Sequence, residues 1–166
     1  MAPPCSQDHR HKDTDDQTKT NVYTDGSKSE QGVGAGIAIT RPGTPTIKLM
    51  YRMDPKCTNN QAEAYAILKA LEYIQNTQTN EDDKAVTVHS DSMTTLVTNQ
   101  YRHTQFLTEE IKQRVHEMEN REWKIWFRWV KAHAGTSGNE LADKLAKEAQ
   151  VKQIYPSATT EFQKTS

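Results

Sequence analysis

The sequence predicts an α/β fold, a five-stranded mixed sheet flanked by helices, with elements in the order βββαβααβα. Three features carry that expectation. Apolar residues alternate with small or polar ones through three early runs, and the two short connections between them imply an antiparallel meander. At Thr58 the apolar spacing changes from two to 3.6, the period of a helix. A further alternating run then returns to the sheet, and a helical crossover requires that strand to lie parallel to an earlier one.

Ordered structure is expected from residue 19. Residues 21–25 form a short first strand, and the Gly- and Ser-rich stretch 26–32 reads as a turn. The second strand covers 33–40, with Gly34 and Gly36 alternating with Val33, Ala35 and Ile37. Pro42, Gly43 and Pro45 turn the chain into a third strand at 47–53. Thr58 and Gln61 have capping-box spacing, in which hydroxyl and amide satisfy free backbone N–H groups at a helix start. That helix is expected to reach about residue 75, with Ile67, Ala70, Leu71 and Ile74 on its inward stripe. Glu63, four residues before Ile67, shares that stripe, and a carboxylate there needs a reason. Val86 and Val88 mark a strand at 85–89, followed by a short helix at 92–98 and a longer one at 108–119. The longer helix sets Leu107, Ile111, Val115 and Met118 against a solvated face of Glu109, Lys112, Gln113 and Glu117. In the last strand Trp123, Ile125, Phe127 and Trp129 alternate with Lys124, Trp126 and Arg128, an aromatic stripe of the kind that lines a core. Residues 137–140 cap the final helix, whose Leu141, Ala142, Leu145, Ala146 and Ala149 face inward with Asp143 at the shoulder.

The 166 residues, 34% of them hydrophobic and 26% charged, suffice for one domain with one core. A mean hydropathy of −0.91 reflects the ends, since residues 1–18 and 152–166 contain almost no aliphatic side chains. The expected organisation is a leader or linker at 1–18, a domain at 19–150 and a polar tail at 151–166. His9 and His11 fall in the leader and read as solvated. A net charge of −1 neither supports nor excludes a nucleic-acid partner, which would need a local basic patch. Cys5 and Cys57 are too few for a disulfide framework or a four-cysteine zinc site, which fits a reducing compartment. With no apolar run resembling a signal peptide or a bilayer span, the expectation is an intracellular protein of cytoplasm or nucleus, away from membranes.

Four separated acidic residues, Asp25, Glu63, Asp91 and Asp143, sit at element ends or in early helical turns, inside short motifs and not in acidic runs. Brought together, carboxyls with ordinary pKa values of roughly 3.9 to 4.3 would repel, one pair at 4 Å costing on the order of 4 kcal/mol at an effective dielectric near 20. Divalent cations remove that cost, and oxygen-only ligands favour Mg²⁺ or Mn²⁺ over zinc. Singly, each residue is also an ordinary turn or cap: Asp25-Gly26 a turn pair, Asn59-Asn60 a cap, Asp91 a cap for the next helix.

Their order is more informative. Tyr23-Thr24-Asp25-Gly26-Ser27, Thr58-Asn59-Asn60-Gln61-Ala62-Glu63, His89-Ser90-Asp91-Ser92, and His133 followed by Gly138-Asn139-Glu140-Leu141-Ala142-Asp143 together resemble the type 1 ribonuclease H family over about residues 19–150. The helix start Gln61-Ala62-Glu63-Ala64 and the loop Lys131-Ala132-His133-Ala134-Gly135 look most like ribonuclease H domains of non-LTR retrotransposon polyproteins. That likeness implies covalent linkage to a reverse transcriptase, with 1–18 as a junction.

The resemblance implies endonucleolytic hydrolysis of the RNA strand of an RNA·DNA hybrid with two Mg²⁺ ions, Mn²⁺ substituting, leaving 3′-hydroxyl and 5′-phosphate ends. Two such ions roughly 3.5 to 4 Å apart can activate a water and neutralise the leaving oxygen. It implies that Asp25 bridges the metals, that Asp91 and Asp143 hold one each, and that Glu63 holds a metal and accepts from a ribose 2′-hydroxyl, which DNA lacks. His133 matches a mobile-loop histidine that aids proton transfer or product release. Gly26, Ser27, Asn59, Asn60, Gln61 and Met93 match positions contacting sugars and bases of the hybrid, and Thr58 a phosphate-contacting one; each also reads as a turn, cap or surface residue. Relatives often carry a basic, Trp-containing extension before the last strand. Here residues 99–122 hold one mixed-charge helix and no tryptophan, with Arg102, His103, Lys112 and Arg114 a modest substitute, so weak hybrid binding is expected. Rival readings are a DNA strand-processing nuclease on the same fold and a non-catalytic hybrid-binding module.

Overall fold

The computed structural model describes residues 20–77, 84–92, 105–130 and 137–152. Among these, eight elements follow one another: β1 (Thr20–Ser29), β2 (Gly32–Thr40), β3 (Ile47–Met53), α1 (Asn59–Thr77), β4 (Ala85–Ser90), α2 (Gln105–Asn120), β5 (Lys124–Trp129) and α3 (Ser137–Val151). The expected short helix at 92–98, from residue 93 on, together with Met93, His133, Arg102 and His103, lies outside the described residues. The five strands form one sheet in the order β3-β2-β1-β4-β5, antiparallel through β3, β2 and β1 and parallel through β1, β4 and β5. The mixed sheet expected from the sequence is therefore the one observed. No helix among the described residues is long and apolar enough to cross a membrane.

The two faces of β2 explain how the helices pack. Val33, Ala35, Ile37 and Ile39 point into the larger core, with Ile67, Leu71 and Ile74 of α1, Val86 and Val88 of β4, and Leu107, Ile111 and Met118 of α2. The alternate positions, Gly34, Gly36 and Ala38, face α3, whose Ala142 and Leu145 pack with Tyr23 and Ala38 in a smaller cluster. A Cβ at Gly36 would collide with the Ala142 carbonyl and the Ala146 amide, so the helix backbone lies directly on the strand. Only glycine allows that approach.

Three expectations are corrected. β1 runs to Ser29, because pairing continues from Asp25↔Gly36 to Ser29↔Gly32 and leaves only Glu30 and Gln31 as the turn. The Gly- and Ser-rich composition that reads as a turn is overridden by tertiary contacts: Lys28 Nζ donates to the Cys57 carbonyl at 2.9 Å, while Gln150 bonds both Ser27 and Ser29. Second, the aromatic stripe of β5 is only partly core. Trp123 is buried just before the strand and Ile125 and Phe127 pack on the larger cluster, but Trp126 and Trp129 are exposed, as β5 is an edge strand among the described residues. Third, Arg114 is turned inward to α1, donating to Gln75 Oε1 at 2.8 Å and pairing with Glu72 at 3.6 Å. Small boundary shifts accompany these: α1 extends to Thr77, whose hydroxyl donates to the Tyr73 carbonyl at 2.7 Å, and α2 begins at Gln105.

Candidate functional site

Four acidic residues come together, three within β1, α1 and α3 and one just past the end of β4. Parallel pairing of β1 with β4 aligns Thr24 with Ser90, so the next residues, Asp25 within β1 and Asp91 just past the end of β4, come side by side. Glu63 comes from α1, whose start is fixed by the expected capping box: the Gln61 amide donates to Thr58 Oγ1 at 3.1 Å and the Thr58 amide to Gln61 Oε1 at 2.8 Å. Gly26 lets that helix close on β1. A Cβ there would stand 2.5 Å from the Glu63 amide nitrogen and 2.8 Å from the Ala62 carbonyl carbon and from Glu63 Cγ. Asp143 arrives through the contact of α3 with Gly36, the residue paired with Asp25.

One carboxylate oxygen each from Asp25, Glu63 and Asp91 lie within 4.8 Å of one another. Asp143, outside that triplet, hydrogen-bonds to the Asp25 carboxyl. Asp25 and Glu63 are both buried, each 8% exposed. Burial, then the charge of Asp91, then the hydrogen bond and charge of Asp143 and the charge of Glu63, push the Asp25 carboxyl up to about 8. Burial pushes Glu63 up to about 7; Asp91 adds to the rise, and hydrogen bonds from Ser92 and Asn59 oppose it. The Asn59 amide donates to Glu63 Oε1 at 3.1 Å, and the Gly26 amide to Asp25 Oδ1 at 2.9 Å. Lys147 Nζ donates to Asp143 Oδ2 at 2.8 Å, and that hydrogen bond, then the charges of Asp143 and Asp25, raise the lysine above its usual range.

This donor set fits a hard divalent cation. All its atoms are carboxylate oxygens, and at neutral pH Asp25 holds a proton and Glu63 is about half protonated, protons that a dication would replace. Ligands about 2.1 Å from Mg²⁺ sit up to roughly 4.2 Å apart, close to the limit of 4.8 Å within which the triplet lies.

The remaining expected positions divide. Thr58 and Gln61 are engaged with each other in the cap, Asn59 with Glu63, and the Ser27 hydroxyl accepts from Gln150 Nε2 at 2.5 Å. Asn60 is half-buried beside them. Sequence reasoning missed two supports. Lys147 was legible as the i+4 partner of Asp143, but nothing in the sequence signals that Gln150, buried in the last turn of α3, reaches back to β1.

The family model "RNase H" matches residues 17–151. A ribonuclease H of Bordetella pertussis is 30% identical over 145 residues, covering 79% of this chain and 88% of the bacterial one. LC11-RNase H1, isolated from compost and solved in complex with an RNA/DNA hybrid, superposes with a TM-score of 0.58 at 23% identity, over 79% of this chain and 99% of that one. The protease-reverse transcriptase of prototype foamy virus superposes with a TM-score of 0.62 at 22% identity, over 83% of this chain but 21% of the viral one. A family match spanning the whole described sheet, on a fold whose end gathers four carboxyls, shows that the chain belongs to the ribonuclease H family.

Proposed function

We propose that the chain hydrolyses the RNA strand of RNA·DNA hybrids endonucleolytically, with Asp25, Glu63, Asp91 and Asp143 holding two Mg²⁺ ions, which Mn²⁺ replaces. The observation that carries this reading is the convergence of Asp25, Glu63 and Asp91 oxygens within 4.8 Å, with Asp143 bonded to Asp25. Bound divalent ions supply charge neutralisation at the scissile phosphate and lower the pKa of water. The protein residues do the rest. Asp25, bonded to the Gly26 amide and influenced by the carboxyls of Asp91 and Asp143, would be the ligand common to both ions. Asn59 orients Glu63, leaving its carboxylate to accept from the ribose 2′-hydroxyl that marks the cleaved strand as RNA. Lys147 balances Asp143 and keeps the cluster from carrying its full negative charge toward phosphates. His133, ten residues before Asp143, is assigned to proton transfer or product release. Gly26, Ser27, Asn59, Asn60, Gln61 and Met93 are assigned to sugars and bases, Thr58 to a phosphate.

The finer reading is a ribonuclease H domain of a non-LTR retrotransposon polyprotein, covalently linked to a reverse transcriptase and working in cytoplasm or nucleus. It is supported by the wording of the motifs around Gln61 and His133, and by the occurrence of the same fold within the foamy virus protease-reverse transcriptase. Attachment to a polymerase raises effective substrate concentration, which suits a chain whose net charge is −1.

Labelled RNA·DNA hybrid, duplex RNA and duplex DNA incubated with and without Mg²⁺ test the activity. Metal-dependent cuts in the hybrid's RNA strand, ending in 3′-hydroxyl and 5′-phosphate, are expected. Cleavage of duplex DNA, or an uncut hybrid under all conditions, rejects the reading.

A further inference from the structure

The last residue of β5 is placed oddly for a core tryptophan. Trp129 pairs with Ser90, and the next amide, Val130, donates to the Ser90 carbonyl at 3.0 Å. Strand alternation puts its side chain on the face of Ile125 and Phe127, which pack on the larger core, yet Trp129 is 59% exposed. Its indole N–H donates to the backbone carbonyl of Asp91 at 3.1 Å. A large apolar ring is thus fixed to the residue that delivers one of the three clustered carboxylates, with its face left open.

We propose that Trp129 is a positioning residue for the strand being cut: the N–H fixes Asp91, and the exposed ring packs against a sugar of that strand. The inference rests on the function proposed above. Nucleotides advance roughly 3.4 Å along a strand axis, so a ring anchored on the Asp91 carbonyl lies within about two nucleotides of a phosphate held at the carboxylates. Bases of a hybrid are stacked within the duplex, which leaves the sugar edge as the apolar surface the indole can cover. A neutral contact suits this location. Acidic side chains here repel phosphates. Affinity gained by covering a ring is also insensitive to salt, unlike affinity gained by neutralising phosphates.

Three variants of the full chain test this, with wild type as reference: Trp129→Ala, Trp129→Phe, and Trp126→Ala, which removes an exposed tryptophan from the opposite face of the same strand. Trp129→Ala is expected to raise KM for hybrid about tenfold, by the same factor at about 50 and about 200 mM salt. Trp129→Phe keeps the ring and loses the N–H, so KM stays within about threefold while kcat falls. Trp126→Ala matches wild type. With Ca²⁺ replacing Mg²⁺, hybrid binding should quench tryptophan emission in wild type and Trp126→Ala but not in Trp129→Phe, a signal that loss of structural support alone would not remove. Unchanged KM in Trp129→Ala, or quenching that survives in Trp129→Phe, overturns the proposal while wild-type cleavage leaves the function standing. A wild-type chain inert on hybrid removes both.

Discussion

Replacing Gly26 with alanine tests whether steric closure of β1 on α1 places the carboxylates. Gly26 does not have a positive φ, so alanine meets no backbone strain there and the perturbation is purely one of contact. The new Cβ would lie 2.5 Å from the Glu63 nitrogen, whereas ordinary contact begins at 3.4 Å, and the obstructing atoms are mostly backbone, which cannot rotate aside. The first turns of α1 must therefore retreat by about 0.9 Å, carrying Glu63 away from Asp25 and Asp91. Overpacking of this kind costs about 1–3 kcal/mol, or roughly 2–4 °C in Tm per kcal/mol for a domain of this size. A displacement near 1 Å at a catalytic group costs on the order of a hundredfold in rate. The assay pairs kcat on labelled hybrid with the Mg²⁺ concentration at half-maximal rate and Tm in EDTA. Lower kcat, a higher Mg²⁺ midpoint and a lower Tm are expected together. Alanine preserves the backbone N–H and C=O, so a change in KM alone would mark Gly26 as a strand contact and not a spacer. Wild-type kcat with wild-type Tm refutes the steric account.

The crowded carboxyls make stability depend on pH. Asp25 titrates near 8 in the metal-free fold against an ordinary 3.8, and Glu63 near 7 against 4.5. Between those limits the native state holds protons that the unfolded chain has released, so metal-free stability falls as pH rises from about 4 to about 8 and then levels. Tm in EDTA across that range checks it; a rising Tm contradicts the sign. Millimolar Mg²⁺ should raise Tm, and more at pH 8 than at pH 5, since ions binding only the folded state replace those protons. Asp91→Asn should abolish hybrid cleavage yet raise metal-free Tm at pH 8 by a few degrees, because it removes a charge that raises both Asp25 and Glu63; retained cleavage would remove Asp91 from the mechanism. Hybrid binding by the isolated chain should be weaker than nanomolar at physiological salt, with a shallow salt slope, because Arg114 is engaged internally. A filter-binding salt titration measures both.

What the sequence revealed and what it hid follow from the range of the interactions involved. The switch of period at Thr58 and the capping box are local, and the structure reproduces both hydrogen bonds of that box. Glu63 stood out because a carboxylate on an apolar stripe is anomalous within one helix. Asp143 was ambiguous for the complementary reason: its position on the wheel says nothing of where α3 docks, which is set by Gly34, Gly36 and Ala38 on another element. The extension of β1 depends on Gln150 and Cys57, 121 and 29 residues from their partners, and no nearby pattern encodes such pairs. Trp129 was assigned to the core because alternation gives the face of a residue and not whether a neighbouring element covers it.

The order in which the four acidic residues occur also bears on biosynthesis. β1 is paired first with its immediate successor and only much later with β4. As the ribosome proceeds from the amino terminus, the meander and α1 can assemble with Asp25 and Glu63 while Asp91 and Asp143 are still untranslated. Any truncated product that stops before α3 therefore lacks a full constellation of acids, and on the function proposed above cutting competence is acquired last, as the final helix settles onto the glycines of β2.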